Sequence, residues 1–92
     1  MKIVVLKSRH VFELFHAISD EASAKVRRYV VDHELERQVR FRNTEYAEVR
    51  EALVSRGGER APALWDGSRL FVGYESIVAR LAASKDVGRE SD

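Results

Sequence analysis

The sequence of 92 residues contains no cysteine. This absence excludes structural disulfides, thiolate metal sites and a cysteine nucleophile. The three histidines, His10, His16 and His33, match no usual metal-ligand spacing, and we interpret them as surface or half-buried side chains. Long apolar runs are also missing, since the aliphatic run at residues 3–6 is far too short for a signal-peptide core or a membrane span. We therefore expect a cytoplasmic protein with no membrane partner.

Neither sign of charge dominates, because 16 basic residues stand against 15 acidic ones and the formal net charge is +1. No whole-molecule field therefore draws the chain to nucleic acid or to an anionic membrane. Apolar residues make up 45% of the sequence and charged residues 34%, a mixture typical of a globular domain. The length predicts a single domain over residues 1–84, followed by a disordered polar tail at residues 85–92.

The clearest local pattern is a hairpin followed by a helix. Asp66 and Gly67 separate two short apolar runs, at residues 61–65 and 69–72. An Asp-Gly pair favours the two central positions of a type I′ turn, where both residues need positive φ. Apolar residues then recur at helical spacing, which predicts a C-terminal helix over residues 74–83.

Upstream of the hairpin, a strand lies between two helices. The expected elements are a helix over about residues 20–35 capped by Ser19, a strand over residues 38–42, and a helix over about residues 45–55 capped by Thr44 and ended by Gly57 and Gly58. The alternation of the strand places Val39 and Phe41 on one face.

The first nineteen residues are ambiguous. Residues 2–6 are typical of a buried strand, whereas residues 11–18 fit two templates. The helix template uses Val11, Leu14, Phe15 and Ile18, and the strand template uses Phe12, Leu14, His16 and Ile18. Periodicity alone leaves both open.

The order strand, helix, strand, helix, hairpin, helix, with Pro62 opening the hairpin, resembles that of the glutaredoxins and of the N-terminal domain of glutathione transferases. Three stretches carry the likeness: residues 12–30, 61–64 and 73–81. The resemblance implies an α/β, thioredoxin-like three-layer sandwich with a mixed sheet of four strands and three helices. Residues 12–17 then form the central strand, and residues 2–6 form an additional N-terminal strand.

The resemblance also implies a ligand pocket beside a cis-proline. Ala61, which precedes Pro62, would offer its backbone to a thiol or an extended peptide, and the pair Glu75-Ser76 would bind a γ-glutamyl group. The Ser76 hydroxyl and the free N–H groups at a helix N-terminus suit a carboxylate, while Glu75 suits the neighbouring ammonium group. The alternative is structural: Ser76 caps the last helix, Glu75 interacts with its dipole, and Pro62 serves a turn.

Ser19, Asp20 and Ser23 lie in the loop where relatives carry their nucleophile. The two redox cysteines of glutaredoxins align with Asp20 and Ser23, so the resemblance implies a vestigial active-site loop without thiol–disulfide exchange. A minimal glutathione transferase that uses the hydroxyl of Ser19 or Ser23 is an alternative. The charges of Asp20 and Glu21 argue against it, because they would raise the pKa of a nearby thiol.

We therefore expect a redox-inactive binding domain for glutathione, for a γ-glutamyl ligand or for a protein partner, with no catalytic residue and no metal. Self-association as a homodimer, or docking of a partner, is a further hypothesis if Trp65, Phe71 or Tyr74 is exposed. Nucleic-acid binding would use Arg27, Arg28, Arg37, Arg40 and Arg42, but interleaved glutamates are more typical of a solvated mixed-charge face.

Overall fold

The computed structural model describes residues 11–90. These residues form an α/β fold with three helices and a mixed sheet of four strands. The elements are β1 (Phe12–His16), α1 (Glu21–Asp32), β2 (Val39–Asn43), α2 (Ala47–Ser55), β3 (Ala63–Trp65), β4 (Leu70–Val72) and α3 (Tyr74–Glu90). The strand expected at residues 2–6 lies outside the described residues.

β1 is a central strand of the sheet, whose order is β2-β1-β3-β4. It pairs in parallel with β2 and antiparallel with β3, and β3 pairs antiparallel with β4. Of the ambiguous residues 11–18, residues 12–16 are therefore a strand. Its two neighbours satisfy the backbone groups of β1 on both sides, a long-range contribution that periodicity within the segment cannot report.

Alternate residues of β1 pack into two separate hydrophobic cores. Phe12 and Leu14 belong to a cluster that also contains residues of α1 and α3, namely Val26, Val30, Ile77 and Leu81. Phe15 belongs to a second cluster with Val49, Leu53 and Ala63, so this cluster includes residues of α2. Burial on both sides of the strand follows from the period of two in side-chain direction.

α1 begins and ends at different residues from those predicted. Asp20, rather than Ser19, is its N-cap, and its carboxylate accepts a hydrogen bond from the backbone N–H of Ser23. The helix stops at Asp32 because Glu34 adopts a left-handed conformation with φ 55°. The N–H groups of Glu34 and Leu35 then donate to the carbonyls of Val31 and Val30, which is the pattern of a Schellman motif.

The polar residues before α2 do not cap it as expected. α2 begins at Ala47 after Tyr46, which makes no side-chain capping bond. Thr44 is tied to β1, because its N–H and its hydroxyl both donate to the carbonyl of His16. At the other end, Gly57 follows the C-cap with φ 90°, so its predicted role in ending the helix is confirmed.

The hairpin is present, but the turn that closes it is shifted by one residue. The N–H of Asp66 donates to the carbonyl of Arg69, so Gly67 and Ser68 are the central residues. Of these two, Gly67 has positive φ, as in a type II′ turn. Partial burial would raise the pKa of Asp66, but hydrogen bonds from the N–H groups of Ser68 and Arg69 and from Arg80 outweigh it and lower the pKa to about 2.

α3 extends well past the predicted end of the C-terminal helix. The structure places residues 85–90 in this helix, where the sequence had indicated a polar tail.

Candidate functional site

Three of the segments singled out in the sequence meet at one end of the sheet. Phe15 pairs with Ala63, and Ala63 pairs with Val72, so the end of β1 lies beside the start of β3 and the end of β4. The N–H of Gly73 donates to the carbonyl of Pro62, which joins the start of α3 to the same place. We call this region the sheet end and define it as residues 17–20, 61–62 and 73–76.

Ala61 presents an unused backbone at the sheet end. The Ala61–Pro62 peptide bond is cis, Pro62 is buried and Ala61 is half-buried. Within residues 11–90, no hydrogen bond engages the backbone N–H or carbonyl of Ala61. Ala61 also lines a cavity of about 170 Å³ together with Thr44, Arg50, Leu53, Val54, Glu59 and Arg60.

Glu75 and Ser76 occupy the first turn of α3. The helix begins at Tyr74, and the carbonyl of Gly73 accepts from the N–H of Ile77, so Gly73 holds the capping position. Ser76 is therefore inside the helix, and the alternative in which it is the N-cap is wrong. Both side chains are exposed, and the first N–H groups of the helix have no intrahelical acceptor.

The four predicted ligand-binding residues share the sheet end but do not line one cavity. The cavity beside Ala61 is lined partly by residues of α2, and its lining includes none of Pro62, Glu75 and Ser76. A ligand in contact with all four residues would have to run along the surface from this cavity to the first turn of α3.

The vestigial active-site loop is held by its own side chains. Ser23 is fully buried, and its hydroxyl oxygen accepts a hydrogen bond of 3.0 Å from the N–H of Ala17. The N–H of Ser23 donates to Asp20 over 2.7 Å, while Ser19 is exposed. Ser23 thus has a structural role that the sequence analysis missed, and its hydroxyl is not accessible to a bound thiol.

His16 and Arg27 form a partly buried polar contact just behind this loop. His16 is 6% exposed, so its interpretation as a surface or half-buried side chain is wrong. Arg27 donates from Nη1 to Nδ1 of His16 at 3.0 Å and to the carbonyl oxygen of Ala17 at 3.2 Å. The alternation of His16 with Phe12 and Leu14 was the signal of its inward direction. Burial, aided by the charge of Arg27, lowers the pKa of His16.

The pKa of His16 predicts a pH-dependent stability. Because the folded state binds a proton on His16 less readily than the unfolded state, stability is fully present above the unfolded pKa near 6.5. It falls as the pH drops below that value and through the lowered pKa of the folded state. We expect the free energy of unfolding, measured by urea denaturation between neutral and mildly acidic pH, to decline more steeply for the native chain than for His16→Gln. Equal slopes for the two chains would contradict this role of His16.

The aromatic side chains proposed for self-association are not freely exposed. Trp65 is half-buried against the second core, and Phe71 and Tyr74 are half-buried against the first. Two of the arginines considered for nucleic-acid binding are also engaged: Arg27 contacts His16, and Arg42 forms a salt bridge of 3.2 Å with Glu13. The other three arginines, Arg28, Arg37 and Arg40, are exposed, and both hypotheses stay predictions.

A scan against models of known protein families, a search of curated proteins and a search of solved structures found no match to this chain. In the part of the chain that the structure describes, no group of three or more histidine, aspartate or glutamate side chains is arranged to hold a metal ion. None of the helices in that part combines the length and apolar character needed to cross a bilayer.

Proposed function

We propose that this chain is a redox-inactive, thioredoxin-like domain of the glutaredoxin and glutathione-transferase N-terminal type, which binds glutathione or a related γ-glutamyl peptide at the sheet end. The strand order β2-β1-β3-β4, with one parallel and two antiparallel pairs, supports this fold. The two cores support a three-layer arrangement, because one includes residues of α1 and α3 and the other residues of α2.

The observation that carries the proposal is the meeting of two unused sets of backbone groups. Among residues 11–90, nothing bonds to the N–H or carbonyl of Ala61 or to the first N–H groups of α3, and both sets lie at the same end of one sheet. An extended peptide requires hydrogen-bonding partners along its backbone, which Ala61 can provide. Its α-carboxylate requires donors, which a helix N-terminus provides together with a favourable dipole.

The γ-glutamyl end of glutathione is an amino-acid zwitterion, and the first turn of α3 has a partner for each of its charges. The Ser76 hydroxyl and the free N–H groups can donate to the carboxylate. Glu75, exposed one residue earlier, can accept from the ammonium group. A dipeptide in which glutamate is linked through its α-carboxyl group lacks this free carboxylate, so the site should distinguish the two linkages.

The other end of the peptide would lie over the cavity beside Ala61. Arg60 is exposed at its rim and can pair with the C-terminal carboxylate of the ligand. Arg50 also lines this cavity, but it is less suited to bind the carboxylate, because its Nη1 already donates to the carbonyls of Thr44 and Glu45. The proposed ligand thus extends from Arg60 past Ala61 to Ser76.

Binding without catalysis fits the chemistry of the loop. The sequence has no cysteine, and the hydroxyl of Ser23 is buried in a hydrogen bond with Ala17. The exposed hydroxyl of Ser19 lies next to the carboxylate of Asp20, whose negative charge opposes formation of a thiolate.

Isothermal titration calorimetry with S-methylglutathione tests the proposal. We expect measurable binding, weakened by about ten-fold in Glu75→Gln and in Ser76→Ala, because each variant loses a hydrogen bond to a charged group. Glu36→Gln is a matched control, since Glu36 is exposed and lies away from the sheet end in the sequence. The peptide with an α-linked glutamate should bind more weakly. No heat at millimolar ligand, or equal affinity in all three variants, would refute the proposal.

A further inference from the structure

A second concave region lies along α1, away from the cavity beside Ala61. It has a volume of about 510 Å³ and is lined by Lys25, Arg28, Tyr29, Asp32, His33 and Tyr74, which together we call the α1 groove. A volume of this size lies within the range of small-molecule sites.

The aromatic part of the α1 groove has a fixed geometry. Tyr29 and Tyr74 are half-buried and pack against the first core. The ring of His33 stacks on Tyr29, with centroids 4.0 Å apart and an angle of 24° between the planes. Such a surface offers a face for a planar ring, and packing against the core already orders the two tyrosines.

The hydrogen bond of His33 also determines the tautomer of its neutral ring. Nδ1 lies 3.1 Å from the carbonyl oxygen of Tyr29. A carbonyl oxygen can only accept, so Nδ1 carries the proton and donates. Nε2 of the neutral ring is then an acceptor for an N–H or O–H group of a ligand.

The cationic part of the α1 groove lies one to two helical turns from His33. Lys25 and Arg28 are both exposed and neighbour each other across one turn. Among the described residues, neither forms a salt bridge, and Lys25 Nζ lies 5.8 Å from the centroid of the Tyr74 ring. Asp32 contributes one negative charge, so the charged lining residues together carry a net positive charge that attracts an anion.

The spacing of these groups limits the length of the ligand. Lys25 and His33 are separated by about 12 Å along the helix axis, at 1.5 Å per residue. A single phosphate joined through a sugar to a flat base covers a span of this order. Asp32 and Nε2 of His33 would accept hydrogen bonds from the base or the sugar.

We propose that the α1 groove binds a small heteroaromatic anion of the nucleoside monophosphate class. The base stacks against His33 and the tyrosines, and the phosphate pairs with Lys25 and Arg28. The proposal does not rest on glutathione binding: the two sites share Tyr74, but the groups that would bind the nucleotide, on α1 and at His33, lie outside the sheet end.

Titration of the ¹⁵N-labelled chain with AMP, followed by NMR, tests the proposal. We expect shifts of the amides of Lys25, Arg28 and His33. Adenosine and inorganic phosphate should each bind about ten-fold more weakly than AMP, because adenosine lacks the phosphate and inorganic phosphate lacks the base. Absence of shifts in these amides at millimolar AMP would overturn the proposal, as would equal binding of adenosine and AMP.

Charge-matched variants make the test specific. The double variant Lys25→Gln/Arg28→Gln should bind AMP about ten-fold or more weakly, whereas Arg37→Gln/Arg40→Gln, which removes the same charge from exposed positions elsewhere, should bind it like the native chain. Equal weakening in both double variants would show general attraction of the anion and would overturn the proposal. His33→Ala should weaken AMP binding while leaving phosphate binding unchanged; weakening of both would also count against it.

Discussion

Replacement of Leu64 with alanine should lower the free energy of unfolding by about 2–5 kcal/mol. Leu64 is fully buried in the first core and lies in register with Leu14 of the central strand. The substitution removes three buried carbons and leaves a cavity that the neighbouring strands cannot fill without moving. Urea denaturation followed by circular dichroism would measure the loss.

Val54→Ala is the control, because Val54 is 64% exposed on α2. Its effect should stay within about 0.5 kcal/mol. Leu64 is also the test residue for the position of the hairpin, since β3 begins just after Ala61 and Pro62. If Leu64→Ala cost no more than Val54→Ala, the hairpin would not pack against β1 and the sheet end would not exist as described.

Ser23→Ala should destabilise the chain by about 1–3 kcal/mol, because the N–H of Ala17 would lose its hydrogen-bond acceptor in a partly buried position. The substitution keeps the helix propensity of α1 or improves it, so the loss isolates the hydrogen bond. Denaturation with urea, with the slope of the transition compared between variants, is the measurement.

Ser19→Ala is the matched control, because it also removes a serine hydroxyl, from an exposed position in the same loop. It should change the stability very little. Together the two variants separate a structural serine from a surface serine. An equal and small effect of both would mean that the Ser23 hydroxyl is not held by Ala17, and a catalytic role for this loop would again have to be considered.

The elements with strong local signals could be predicted from the sequence. The hairpin and the start of the last helix follow from Asp66, Gly67 and the helical spacing after Tyr74, all of which act over a few residues. β1 could not be assigned in this way, because both of its faces are buried and its strand character comes from pairing with β2 and β3. Phe41 shows the same limit: it shares a strand face with Val39, yet it is 40% exposed while Val39 is buried.

Caps and turns were less predictable, because several polar residues compete for each role. Ser19 and Asp20 are both good N-caps, and Asp20 holds the position, with its carboxylate 2.7 Å from the N–H of Ser23. The hydroxyl of Thr44 donates to the carbonyl of His16 in β1 and therefore does not cap α2. Asp66 accepts hydrogen bonds from Ser68 and Arg69 and so precedes the turn that it was expected to occupy.

The candidate site was likewise predictable only where its residues form short motifs in the sequence. The sequence indicated the segments that meet at the sheet end, because Pro62 and the Glu75-Ser76 pair are visible as short motifs. The contacts of Ser23 with Ala17 and of Arg27 with His16 connect residues 6 and 11 positions apart, across the loop between β1 and α1. No spacing rule identifies such pairs before the fold is known.

Chemical-shift mapping with S-methylglutathione is the most direct test of the central claim, that the sheet end is a ligand site. The account predicts that the amides of Ala61, Glu75 and Ser76 shift together along one saturating binding curve. The amides of α1 between Lys25 and Asp32 should stay in place. Shifts confined to other parts of the chain, or no shift at millimolar ligand, would contradict it.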